Sequence, residues 1–188
     1  MKPKIGVIVS TTRPTRAGLG VAEWFVDQVK DMPEMDFELI DLKEVDLPLL
    51  SEPESASSGN YTQDKVKAWS KRIADFDGFV IVMAEYNNGY PAPLKNAFDT
   101  LYHEWSQKPV AFVGYGTYAA SRAIDHMVAV VAKVNAMPIT STVIGVVKPW
   151  EAMDEKGWPK AEYVMGNMAH FVDNLRWWAT TLKAARKQ

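Results

Sequence analysis

Cysteine is absent from all 188 residues, which removes disulfides, thiolate nucleophiles and cysteine-held metals together. Histidine is scarce: His103, His126 and His170 stand in no metal-ligating spacing and in no serine–histidine–aspartate arrangement. Excess charge of one sign is lacking too. Twenty-one Lys and Arg against 23 Asp and Glu leave a formal charge of −2, so no polyanion-binding face, and no nucleic-acid partner, is expected. No apolar run approaches the roughly 20 residues that cross a bilayer. Met1-Lys2-Pro3-Lys4 leads into only about five apolar residues, short of a signal-peptide core. The expectation is a soluble, cytoplasmic chain without a membrane partner.

What is present is a regular alternation. Continuous apolar runs at Ile5–Val9, Phe37–Ile40, Phe79–Met83, Val110–Gly114 and Ile139–Val147 predict strands. Helical periodicity fills Gly18–Lys30, Tyr61–Phe76, a segment from Pro93, about 121–135 and about 161–185. Strands that are apolar throughout belong to a sheet covered on both faces. The β-α-β alternation predicts one α/β domain over residues 1–188: a doubly wound, flavodoxin-like, five-stranded parallel sheet of order 2-1-3-4-5. Two long connections interrupt it. Residues 42–60 read either as a mobile flap or as disorder. Residues 148–160 carry Trp150 and Trp158 and are expected to pack on something, such as another subunit.

The unusual sequences fall after strands one, three and four, which are neighbours in that order, so their loops meet at the carboxyl edge near the switch point. The first, Ser10-Thr11-Thr12-Arg13-Pro14-Thr15-Arg16, combines hydroxyls and two arginines with a following helix N-terminus, the parts of an anion site. A polar helix cap with surface arginines is the plainer alternative. The loop has neither Gly-x-x-x-x-Gly-Lys-Ser/Thr nor Gly-x-Gly-x-x-Gly spacing, so a single terminal phosphate suits it better than a triphosphate or a Rossmann-bound dinucleotide. The second loop is Glu85-Tyr86-Asn87-Asn88-Gly89-Tyr90, and the third is Gly114-Tyr115-Gly116-Thr117-Tyr118-Ala119-Ala120-Ser121.

These loops resemble one family, the NAD(P)H-dependent FMN reductases. Glu85-Tyr86-Asn87 followed by Leu94-Lys95-Asn96-Ala97-Phe98-Asp99 resembles its Pro-Glu-Tyr-Asn…Leu-Lys-Asn-Ala-x-Asp, with Ala84 in place of proline. The first loop resembles Gly-Ser-Thr-Arg-Pro-Gly-Arg, with Ser10, Thr11 and Thr15 substituted. The third resembles Tyr-Gly-x-x-Gly-Gly, with Ala119-Ala120 where two glycines are usual.

The resemblance implies bound FMN, with NADPH or NADH as co-substrate and a small-molecule electron acceptor such as a flavin or quinone. Thr11 and Arg13 would meet the phosphate. Ser10, Thr12, Arg16, Glu85, Tyr86, Asn87, Asn88, Gly114, Tyr115, Gly116, Thr117, Tyr118 and Ala119 would complete the cofactor site, and no catalytic side chain is implied. It also implies a homodimer or homotetramer. Leu94, Ala97, Phe98 and Leu101, with Tyr90, Tyr102 and Trp105, are expected to form the self-association surface. A flavodoxin-like regulatory protein that has lost flavin, or an electron carrier, is the alternative; Ala119-Ala120 favours the former.

Overall fold

The computed structural model describes residues 2–186. A parallel arrangement of β1 (Lys4–Val9), β2 (Asp36–Asp41), β3 (Gly78–Ala84), β4 (Pro109–Gly116) and β5 (Met137–Val147) forms the sheet, and a sixth strand, β6 (Val164–Met165), closes one edge. The order is β2-β1-β3-β4-β5-β6, so the expected 2-1-3-4-5 order holds and the count of five is corrected to six. β6 runs antiparallel to β5. It occupies sequence that periodicity assigned to the last helix, because Gly166 takes φ 99° and reverses the chain there. That helix, α7 (Met168–Ala185), starts late, with the Asn167 side chain capping the His170 N–H.

Period-two side-chain alternation splits each strand between two cores. Ile8, Ile40, Phe79, Ile81 and Met83 face α3 (Asp64–Ala74), α4 (Ala92–Asp99) and α5 (Ser121–Lys133). Val7, Val9, Val80, Val82 and Val113 face α1 (Gly18–Val29) and α7. Three extra residues enter β5 between the pairs Val110–Pro138 and Phe112–Val143, a bulge that Asn174 of α7 holds through Ser141 and Thr142.

Most of the expected self-association surface is buried within the chain, with Tyr90 and Tyr102 half-buried. Leu94, Phe98 and Trp105 have no exposure and Leu101 has 1%. Phe98 stacks on Trp105 at 4.2 Å and 5°, and Phe79 and Trp69 close edge-on around them. Trp105 belongs to a short 3₁₀ turn (His103–Trp105) after α4 that folds its ring back under the sheet, which periodicity within the helix could not reveal.

Residues 42–60 follow a defined path. They begin as α2 (Leu42–Val45). Asn96 of α4 then brackets the backbone, donating to the Pro48 carbonyl and accepting from the Leu50 N–H. Glu52 accepts from Thr62 and Gln63. Asn96 therefore has a structural task within its motif.

Lys108 is 6% exposed and donates to the carbonyls of Ile73 and Ala74. Burial, with Arg186 nearby, lowers its pKa from 10.5 to about 8. Between those values the unfolded chain binds more protons at this residue than the folded chain, so the penalty of burying the charge fades as pH rises. Lys108→Met is expected to remove that gain, on the order of 2 kcal/mol between about pH 8 and 9.5. Urea unfolding of both proteins across that range checks it.

Candidate functional site

The carboxyl ends of β1, β3 and β4 open onto one crevice of ≈ 650 Å³, lined by Arg13, Thr15, Arg16, Ala17, Ala84, Glu85, Tyr86, Tyr115, Gly116, Thr117, Pro149, Trp150 and Met153. The three loops thus meet as the strand order requires. A fourth wall, from α6 (Pro149–Ala152) and its continuation, was missed in the sequence as part of the site.

At the first loop the side chains divide into structural and free. Ser10 and Thr11 are buried beneath the crevice. Thr11 shares a 3.1 Å hydrogen bond with the Tyr115 hydroxyl. Burial pushes that hydroxyl up to about 12, so it keeps its proton at neutral pH. Gly18 admits this pair, since a β-carbon there would stand 2.5 Å from the Tyr115 oxygen. Arg16 is ion-paired with Asp41 behind the loop, both side chains at most 7% exposed, and Asp41 also caps α2 through Lys43 N–H. Arg13, by contrast, is exposed on the crevice wall and has no ion pair among the described residues. Nor do the N–H groups of Thr11, Thr12 and Arg13 meet a partner there. α1 begins with no side-chain cap and no acidic residue in its first turn. Free amides, an uncapped helix start and an unpaired guanidinium make this end of the crevice receptive to a phosphate. The Ser10 hydroxyl, buried without a partner, lies at its base.

At the second loop Tyr86 and Gly89 exchange backbone hydrogen bonds of 2.9 and 3.0 Å. Asn87 and Asn88 supply the two positive φ angles, 51° and 64°, that a type I′ turn demands. Both asparagines are exposed and outside the crevice lining, so the pair serves the turn. Glu85 lines the crevice, yet its carboxylate accepts from the Arg122 and Ala123 N–H groups and the Arg122 guanidinium. It caps α5, whose own N-cap residue, Ala120, has no side-chain acceptor.

The third loop brings Gly116 and Thr117 to the crevice, while Gly114 lies buried under it. Tyr118 and Ala119 face a separate cavity of ≈ 590 Å³ between α5 and β5. Thr12 lines yet another, of ≈ 290 Å³, with Ala92 and Pro93. Ala119 and Ala120 both adopt left-handed φ, 51° and 56°, the conformation for which glycine is ordinarily used. The Ala119 methyl lies against Gly145 of β5, so the alanine does not narrow the crevice.

A turn that follows α6 supports the fourth wall. Met153 bridges Pro159, and Asp154 accepts from the N–H groups of Lys156 and Trp158. Gly20 of α1 lets the turn approach: a β-carbon there would lie 2.1 Å from the Gly157 carbonyl oxygen. Trp158 packs on its own chain's core, as expected of a loop that packs on something. Trp150 stands 66% exposed at the crevice rim.

A phosphate-receptive end opening into a slot edged by Tyr86, Tyr115 and Trp150 fits a planar ligand with one phosphate. A family model described as NADPH-dependent FMN reductase matches residues 3–151. The chain belongs to that family. Over 116 residues it is 45% identical to an NAD(P)H-dependent FMN reductase of Schizosaccharomyces pombe, covering 61% of this chain and 58% of that protein. Over 126 residues it is 36% identical to a Nectria enzyme of the same description, covering 64% and 63%. The match thus spans less than two thirds of either relative's length. Among solved structures, FerB, a flavoenzyme NAD(P)H:(acceptor) oxidoreductase from Paracoccus denitrificans, superposes at TM-score 0.70 and 21% identity over 95% of this chain and 98% of that one. That likeness is one of fold. The family match ends inside the fourth wall, whose anchoring turn lies beyond it.

Removing either partner of the Arg16–Asp41 pair strands a buried charge. Arg16→Ala and Asp41→Ala are each expected to cost about 3 kcal/mol of stability, and the double variant less than their sum. Equilibrium urea unfolding of the four proteins measures both figures.

Proposed function

We propose that the chain is a cytoplasmic FMN-dependent oxidoreductase that takes reducing equivalents from NADPH or NADH and passes them to a small-molecule acceptor, a free flavin or a quinone. One observation carries this reading: three loops from adjacent parallel strands converge on a single crevice whose phosphate-receptive end holds one unpaired guanidinium, Arg13. Bound there, FMN would supply the ring that accepts a hydride and releases electrons. Arg13 and the N–H groups of Thr11, Thr12 and Arg13 would hold its phosphate. Tyr115 keeps its hydroxyl neutral and tied to Thr11, so this wall adds no charge beside the phosphate. Gly116 and Thr117 would offer backbone groups to the ring, Tyr86 would flank it, and Pro149, Trp150 and Met153 would line its far side.

No general acid or base is assigned. Glu85, the carboxylate of the crevice lining, is held by Arg122 and the α5 amides. In this reading the chain works as a homodimer or homotetramer. Its contact does not use Phe98 or Trp105, which the monomer buries. Leu49 and Leu50, 80% and 46% exposed, are apolar residues available for it.

Arg13→Ala is expected to weaken FMN by about 1.5–3 kcal/mol, the worth of a charge-assisted hydrogen bond, and to leave riboflavin affinity unchanged. Fluorescence titration of the flavin-free protein with both ligands measures this; equal losses would make Arg13 a structural residue. In stopped-flow mixing of the FMN-loaded protein, NADPH or NADH should bleach the flavin absorbance and a quinone restore it. A flavin that stays oxidised under excess of both nucleotides would overturn the reductase reading.

A further inference from the structure

We infer that Gly145 is a positioning residue for the loop between β4 and α5, through a steric match with Ala119. The backbone at Ala119 is left-handed, and that conformation fixes where its carbonyl and methyl go. The carbonyl oxygen rests over Gly114, where a β-carbon would stand 2.0 Å from it, and the methyl rests over Gly145, where a β-carbon would stand 2.7 Å from it. Gly114 and Gly145 are paired partners in the β4–β5 register, so the two glycines form one dent across neighbouring strands. Residue 119 sits in that dent by two of its groups at once. Met165 of β6 borders the same place, its β-carbon 3.6 Å from the position a Gly145 side chain would take, an ordinary contact distance.

The match explains how this loop carries alanine at 119. A residue in the left-handed region is costly unless its surroundings hold it. Here the missing side chain at 145 leaves room for the methyl on the β5 side, and Gly116 and Thr117 remain on the crevice side. Position 119 and position 145 therefore share one volume: a methyl fits at either, not at both. For its effect on ligand binding the inference rests on the FMN reading; the steric relation between the two residues stands apart from it.

Four proteins test it: the wild type, Gly145→Ala, Ala119→Gly and the double variant. Each is read by FMN and riboflavin dissociation constants and by amide hydrogen exchange of residues 117–121 in the flavin-free protein. Gly145→Ala alone should weaken FMN and riboflavin together, by about tenfold or more for a coupling of ordinary size, and should speed exchange in the loop. Ala119→Gly should leave both affinities within about threefold of wild type, and adding it to Gly145→Ala should bring affinity and exchange back to that range. A double variant as impaired as Gly145→Ala would overturn the inference, as would a Gly145→Ala protein indistinguishable from wild type. So would a loss confined to FMN, which would place the defect at the phosphate loop. If Gly145→Ala does not fold, recovery of folding in the double variant supports the match and its absence refutes it. If the wild type binds neither flavin, the FMN reading fails, and the exchange measurements still decide the steric relation.

Discussion

Two neighbouring strands that run the same way cannot be joined by a tight turn, so each connection between the parallel strands β1 to β5 must cross a face of the sheet and return to the starting edge. Everything about the site follows from that constraint. It places the ends of β1, β3 and β4 side by side, and it buries both faces, so loops are the only freely variable parts. The crevice is the region where three such loops, leaving toward opposite faces of the sheet, part from one another.

Within the crevice, most side chains with the chemistry of ligands are used to hold the loops in place. Arg16 is sequestered with Asp41, Glu85 caps α5, Asn87 and Asn88 close a turn, and Thr11 is tied to Tyr115. A buried ion pair such as Arg16–Asp41 adds little net stability over an apolar pair, because desolvation offsets its attraction. Its consequence is geometric: it ties the first loop to the end of β2, where Asp41 caps α2, and leaves Arg13 on the crevice wall. One cation without a partner is what gives this end of the cavity its preference for an anion.

Left-handed backbone is found at this edge as well as before β4 and β5, where Gln107 and Asn135 carry it. Asn87, Asn88, Ala119, Ala120 and Lys148 have φ between 47° and 64°, and they sit in the loops that follow β3, β4 and β5. Such conformations persist where surrounding contacts over-determine them. For the asparagines the turn hydrogen bonds do so; for Ala119 it is the pair of glycines on β4 and β5. The chain tolerates alanine in a glycine-like conformation because a neighbouring strand gives up its own side chain.

The sequence by itself determined the sheet order, the two-faced burial and the edge on which the site lies. These depend on hydrophobic period and chain direction, which are local properties that repeat along the chain. It also marked the three loops by their composition. Only the tertiary structure decided which residues within those loops are free. Arg13 and Arg16 are two arginines three positions apart, and nothing local says that one meets Asp41 from the end of β2. Trp105 has the apolar bulk of a surface patch in sequence, and a 3₁₀ turn folds it under the sheet. Residues 161–165 resemble the start of a helix, yet Ala161–Tyr163 form a 3₁₀ turn and Val164–Met165 pair as the sixth strand before the chain reverses at Gly166. Trp150 entered the site because a turn far along the chain rests on Gly20. Each of these outcomes depends on a partner distant in sequence, and the choice among partners is made by packing and desolvation that no local pattern encodes.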